Sequence, residues 1–160
     1  SRYEQGIPLL NHLAANGWVG FNIDYRLSPQ ATWPDHIVDV KRAIAWVREN
    51  AGDLGIDPEM ICITGGSAGG HLTALAGLTI NDPELQPGFE EADTTVAAAV
   101  KKRRRLGSTP SVLIKALQGC LLRESVRDQN KRAILYDLCR SGRGRTRNDQ
   151  VPARRRHSFH

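Results

Sequence analysis

Apolar residues in the first hundred positions follow two patterns. In some segments they recur every three or four residues, which predicts amphipathic helices. In others they form short runs rich in β-branched and aromatic residues, which predicts buried strands. The predicted helices cover residues 7–14, 37–47 and 71–78, and the predicted strands cover residues 18–25, 60–64 and 94–100.

Helix and strand alternate along this part of the chain, an order typical of right-handed crossovers that feed a parallel sheet. A chain of 160 residues can bury one such core. We therefore predict an α/β fold, an open and mostly parallel sheet with helices on both faces. No apolar run approaches the roughly eighteen residues of a membrane-spanning helix, so no membrane span is expected.

Charge divides the chain near residue 100. Residues 1–100 carry 5 basic and 13 acidic side chains, net −8, whereas residues 101–160 carry 17 basic and 4 acidic ones, net +13, which together give the formal charge of +5. Helical and strand periodicity fades at the same point. We therefore assign residues 1–100 to the α/β core and residues 101–160 to a basic, poorly patterned and irregular segment.

The cysteines point to a reducing environment. Cys62, Cys120 and Cys139 are odd in number and lack the Cys-x-x-Cys spacing, which argues against a disulfide framework and against a zinc site. Cys62 lies in an apolar run and is expected to be a small core residue. We expect a cytoplasmic protein that needs no metal and no organic cofactor.

One serine stands where a strand turns directly into a helix. Ser67 follows the strand predicted at 60–64 and precedes the helix predicted at 71–78, which is the setting of a nucleophile elbow. So abrupt a turn strains the backbone at Ser67 and leaves little room for its neighbours, a demand that Gly65 and Gly69 meet. The run reads Thr64-Gly65-Gly66-Ser67-Ala68-Gly69-Gly70.

Such a turn favours acyl transfer. It exposes the Ser67 hydroxyl to a general base and places the Ala68 N–H at a helix N-terminus, where it can stabilise an oxyanion. A phosphate-binding loop would need a lysine after the second glycine, and a dinucleotide fingerprint would need a different glycine spacing. A purely structural glycine turn remains the alternative.

Several segments together resemble the central block of the hormone-sensitive-lipase-like carboxylesterases, near their bacterial feruloyl-esterase-like relatives. The resemblance covers roughly residues 1–100 and implies an α/β-hydrolase fold in which Ser67 attacks carboxylic esters. We expect Asp39 to be a surface or packing-supporting charge, His71 a structural hydrogen-bonding residue, and Trp33 and Trp46 core and edge packing residues. The segments are 24–29, 33–34 with Asp39, 45–47, 55–58 and 65–72.

The remaining catalytic groups are harder to place. By the resemblance, a second oxyanion donor comes from a His-Gly-Gly loop upstream of the first helix, and the sequence begins after it. His157, in His157-Ser158-Phe159, is similar to the family's catalytic histidine and is the candidate base, although arginines replace the glycines before it. Asp137 and Asp149 are candidate acids without the family's usual surroundings. An altered C-terminal half, through a deletion or frame change, would explain this departure.

The sequence thus predicts a serine hydrolase that acts on small-molecule carboxylic esters and is incomplete in its catalytic groups. The alternative is a non-catalytic hydrolase-fold fragment whose basic segment binds polyanions without sequence specificity, since dense arginine with few aromatic residues suits phosphate backbones better than bases.

Overall fold

The computed structural model describes residues 2–102 and 131–137, and helix and strand alternate there as predicted. The helices are α1 (Arg2–Ala14), α2 (Asp35–Glu49), α3 (Ala51–Leu54) and α4 (Ala68–Leu78), with a 3-10 turn at Pro83–Leu85. The strands are β1 (Trp18–Ile23), β2 (Ile56–Gly66), β3 (Ala98–Lys102) and β4 (Lys131–Asp137). None of the described helices is both long and apolar enough to cross a bilayer.

The four strands form one parallel sheet in the order β1-β4-β2-β3, which confirms the predicted fold class. Because the strands are parallel, their carboxyl ends lie along one edge of the sheet. Residues in register there form a row across all four strands: Ile23, Asp137, Gly65 and Lys101.

Strand β4 corrects one expectation from the sequence. The segment 101–160 was expected to be irregular, yet residues 131–137 pair with β1 on one side and with β2 on the other. Its central residues, from Ala133 to Tyr136, are buried. Four apolar residues between charged neighbours give a weak strand pattern, and the strand is stabilised by partners more than 60 positions away in sequence.

Alternating residues of the strands build a core on each face of the sheet. Ile61 and Ile63 of β2 are fully buried in the cluster that contains the apolar side of α2 and Leu72 of α4. Cys62, between them, packs in the opposite cluster with Leu13 of α1. Each isoleucine buried in this way contributes about 1.5–3 kcal/mol. Helices therefore cover both faces and fix the direction of the strand ends.

Candidate active site

The junction of β2 and α4 leaves a single residue between strand and helix. β2 ends at Gly66 and α4 begins at Ala68, and Ser67 connects them with φ 57° and ψ −123°. A positive φ is uncommon for a residue with a side chain and costs about 1–3 kcal/mol. Ser67 is exposed, so its hydroxyl stands at the carboxyl edge of the sheet, open to a ligand.

Steric crowding explains the glycines around this serine. A Cβ on Gly65 would lie 2.7 Å from the carbonyl carbon and oxygen of Gly69 and 2.9 Å from Oγ1 of Thr73. Both distances are shorter than real Cβ contacts, and two of the three atoms belong to the backbone of α4. The close approach of strand and helix expected from the sequence is therefore present, and Gly65 permits it.

The first turn of α4 is open to an incoming negative charge. Ala68 is the first residue of the helix, where backbone N–H groups lack partners within the helix. The Ser67 side chain makes no capping hydrogen bond, and the first turn contains no acidic residue. The Ala68 N–H and the helix dipole can therefore both stabilise an oxyanion formed beside Ser67.

The segment that follows β1 reaches the same edge of the sheet and is fastened to α2. The backbone N–H of Arg26 donates to Oδ2 of Asp39 at 2.9 Å, and its guanidinium donates to both carboxylate oxygens at 2.9–3.1 Å. Asp35 lies 3.4 Å from the same guanidinium. Asp39 is thus the supporting charge that the sequence indicates, and it holds the loop beside the elbow in place.

The charge of Asp39 is stabilised by this arrangement. Partial burial opposes its ionisation, but the hydrogen bonds and the positive charge of Arg26 outweigh burial and hold the pKa of the Asp39 carboxyl below its usual range. The loop anchor therefore stays charged well into the acidic range.

The BD-FAE family model matches residues 2–106. The chain belongs to the BD-FAE family. The elbow lies inside the matched part, and the likeness to esterases inferred from sequence is confirmed. The match to the family model ends at residue 106, close to the charge boundary near residue 100.

Mycobacterial esterases are similar to this BD-FAE chain over the same part. The probable carboxylic ester hydrolase LipM of Mycobacterium tuberculosis is 64% identical over 96 residues, which cover 60% of this chain and 22% of LipM. Esterase LipQ of the same organism is 63% identical over 95 residues, covering 59% of this chain and 23% of LipQ. The chain thus spans about a quarter of the length of these relatives.

A solved structure supports the fold. Thermogutta terrifontis esterase 2 matches with a TM-score of 0.53 and 24% identity, covering 84% of this chain and 65% of the esterase. At that identity the likeness establishes the α/β arrangement of the BD-FAE chain and nothing further.

The remaining predicted site residues lie apart or outside the described residues. His71 lies on α4 and is exposed, and its backbone N–H donates to the Ser67 carbonyl at 3.2 Å, while a structural role for its side chain stays a prediction. Asp137 ends β4 in register with Gly65, at the edge that carries Ser67. His157 and Asp149 lie outside the described residues.

Two tryptophans differ from expectation. Trp33 is 61% exposed and Trp46 is 51% exposed, so neither packs in the core, while packing at the edge stays a prediction. Trp33 ends the loop after β1, and Trp46 lies on the outer side of α2, away from the stripe that contains Ile44 and Val47. The spacing of Trp46 from that stripe could have indicated its exposure.

Metal ligands are not gathered anywhere in the described part of the chain. Within residues 2–102 and 131–137, no group of three histidine, cysteine, aspartate or glutamate residues could hold a metal ion.

Proposed function

We propose that this chain hydrolyses carboxylic esters and that Ser67 is the nucleophile. The observation that carries the proposal is the strained, exposed backbone of Ser67 at an abrupt strand-to-helix junction. A strained residue persists only where its surroundings impose it, and such residues cluster at functional sites. The printed names of LipM and LipQ, both ester hydrolases, support the same chemistry.

The proposed acyl transfer takes place in two halves. Oγ of Ser67 attacks the ester carbonyl carbon while a base removes its proton, and the carbonyl oxygen becomes an oxyanion that accepts a hydrogen bond from the Ala68 N–H. Collapse of this intermediate expels the alcohol, which takes the proton from the base. A water molecule then hydrolyses the acyl-serine by the same steps in reverse.

We assign the base to His157 on its sequence context. An acid that orients it would have to stand at the same edge of the sheet. Asp137 has a suitable backbone position, since it is the last residue of β4 and pairs in register with Gly65, two residues before the nucleophile. Asp149 is the alternative acid.

An ester assay with matched serine variants tests the nucleophile. With 4-nitrophenyl butyrate, Ser67→Ala should lower kcat at least about 10³-fold, because the covalent route is lost. Ser28→Ala is the control: this serine is also exposed, and its hydroxyl donates only to the carbonyl of Ala31 at 3.2 Å. Turnover that survives Ser67→Ala would refute the assignment. Retained turnover in His157→Ala would reassign the base alone.

A second candidate function arises from the net charge of +13 over residues 101–160. A segment of this charge would bind polyanions through counterion release, whether or not the elbow is active. Retention of the chain on immobilised heparin, falling steeply with salt, together with no ester turnover, would favour this function over the first.

A further inference from the structure

Two lysines reach the edge of the sheet beside the nucleophile. Strand β3 pairs with β2 so that Lys101 stands opposite Gly65 and Lys102 opposite Gly66. Neighbouring strands lie about 4.8 Å apart, so the lysine backbones stand within one strand spacing of the two residues that precede Ser67. The register alone therefore places two lysine positions beside the elbow.

Within β3 these lysines are the charged residues, and they begin the basic run Lys101-Lys102-Arg103-Arg104-Arg105. The three residues before them, Ala98, Ala99 and Val100, are small or apolar, and Ala98 and Val100 pack against the core on the α1 face. Lysine on an outer strand often serves only to prevent strand-to-strand aggregation. That role could be met anywhere along β3, whereas both lysines stand at its carboxyl end, level with the elbow.

Opposite charge stands on the far side of the elbow. Asp137 flanks Gly65 from β4, and Asp24 follows β1 directly. Lys101 and Lys102 flank the elbow from β3, and the first turn of α4 between the two sides contains no acidic residue. By residue type, the described edge thus changes from acidic at the ends of β1 and β4 to basic at the end of β3, and Arg26, two residues after Asp24, is paired with Asp39 and Asp35.

We infer that the ester site favours substrates that carry a second, anionic group, a carboxylate on the acyl chain, and that this group is attracted to the β3 side. The inference rests on the proposed ester hydrolysis at Ser67 and adds the substrate class. One charge pair a few ångströms apart in partly hydrated surroundings alters affinity by a factor of about 2 to 5. Salt weakens the attraction, because the Debye length is about 10 Å at 0.1 M.

Two nitrophenyl esters of equal chain length measure the preference. 4-Nitrophenyl hemiglutarate carries a terminal carboxylate, and 4-nitrophenyl pentanoate is neutral. We expect Lys101→Gln and Lys102→Gln each to lower the ratio of their kcat/KM values about 2- to 5-fold at low salt. Lys131→Gln is the control, since it removes an exposed lysine from the amino end of β4. Ratios that are equal in all four proteins would overturn the inference.

A binding measurement separates this inference from the proposed hydrolysis. Ligand-observed NMR with the Ser67→Ala protein needs no turnover, and it compares the same two esters with and without Lys101→Gln. Tighter binding of hemiglutarate that Lys101→Gln weakens supports the inference even if no ester is hydrolysed. Equal binding of both esters refutes it, and so does binding of heparin that depends on Lys101 while the ester preference does not.

Discussion

Two described residues other than glycine have a positive φ, and they illustrate opposite uses of strain. Ser67 has φ 57° at the elbow, and Asn81 has φ 52° in the loop between α4 and β3. Asn81 accepts a hydrogen bond from the Thr94 N–H at 2.7 Å and donates its own N–H to Oγ1 of Thr94 at 3.1 Å. Ser67 makes no side-chain cap to its helix. Hydrogen bonds to Thr94 offset the strain at Asn81, whereas the Ser67 side chain makes no capping bond that would offset the strain there.

The loop around Asn81 is among the most densely hydrogen-bonded described regions. Lys41 of α2 is fully buried and donates to the Thr79 carbonyl and to Oε1 of Gln86, the latter at 3.2 Å. Gln86 in turn donates to backbone carbonyls of the loop and accepts from Oγ1 of Thr94 at 2.7 Å. Burial lowers the pKa of the Lys41 ammonium, and Asp82 opposes that shift only in part.

The loop around Asn81 and the elbow at Ser67 thus have different roles: the loop supports the fold, and the elbow carries the proposed nucleophile. Polar groups in the loop satisfy one another in the interior, as buried polar groups must, and they fasten the end of α4 to α2. The start of α4 carries an exposed hydroxyl and a strained backbone that this rigid attachment can hold. Substitutions in the loop should therefore lower stability, whereas substitutions of the Ser67 side chain should abolish turnover without lowering stability.

The largest effect on stability is expected at Gly65, where strand β2 approaches α4 most closely. Gly65→Ala places a methyl group 2.7 Å from the backbone of Gly69, so α4 must shift. We expect the free energy of unfolding to fall by about 3 kcal/mol and ester turnover to be lost. Gly52→Ala is the control, because its added methyl group meets no atom within 4 Å beyond its chain neighbours and the backbone of its own helix. Urea unfolding and an ester assay on both variants test this, and equal stability of the two would contradict the crowding.

The next largest effect on stability is expected for Lys41, which anchors the loop around Asn81. Lys41→Met keeps the side-chain volume but leaves the Thr79 carbonyl and Gln86 without their buried donor. Stability should fall by about 2 kcal/mol, while the folded fraction keeps its kcat. The neighbouring Arg42 is exposed and donates to the Pro87 carbonyl at 3.1 Å, so Arg42→Met should cost less. A larger loss for Arg42→Met would show that the buried network is not what stabilises the loop.

Sequence predicts those parts of this fold whose causes are local. The elbow can be predicted because a strand pattern, the glycines that flank Ser67 and a helix pattern follow one another within a dozen residues. Each of these signals depends only on residues that are close in sequence. The amphipathic stripe of α2 is visible for the same reason. Position 41 falls on that stripe between Ile37 and Ile44, a signal that could have indicated a buried lysine.

The parts that escape prediction depend on distant partners. The partners of Lys41 stand 38 to 53 positions away, and no motif connects them. Strand β4 is buried because β1 and β2 flank it, although its own sequence is short and surrounded by charge. Only the register with Gly65 and Gly66 places the lysines at the end of β3 beside the elbow. The partners of Lys41, the burial of β4 and the position of the β3 lysines all depend on pairing between residues that are distant in sequence, which hydrophobic periodicity does not reveal.

The smallest expected effect has opposite signs at the two strained residues. Ser67→Gly removes the backbone strain and no described structural hydrogen bond, so it should abolish turnover yet raise the free energy of unfolding by about 1 kcal/mol. Asn81→Gly relieves similar strain but removes the acceptor of the Thr94 N–H, so it should lower that free energy by about 1 kcal/mol. Urea unfolding midpoints of both variants measure these opposite changes in the free energy of unfolding. If Ser67→Gly destabilises the chain as Asn81→Gly does, Ser67 supports the fold, and its strain is no argument for catalysis.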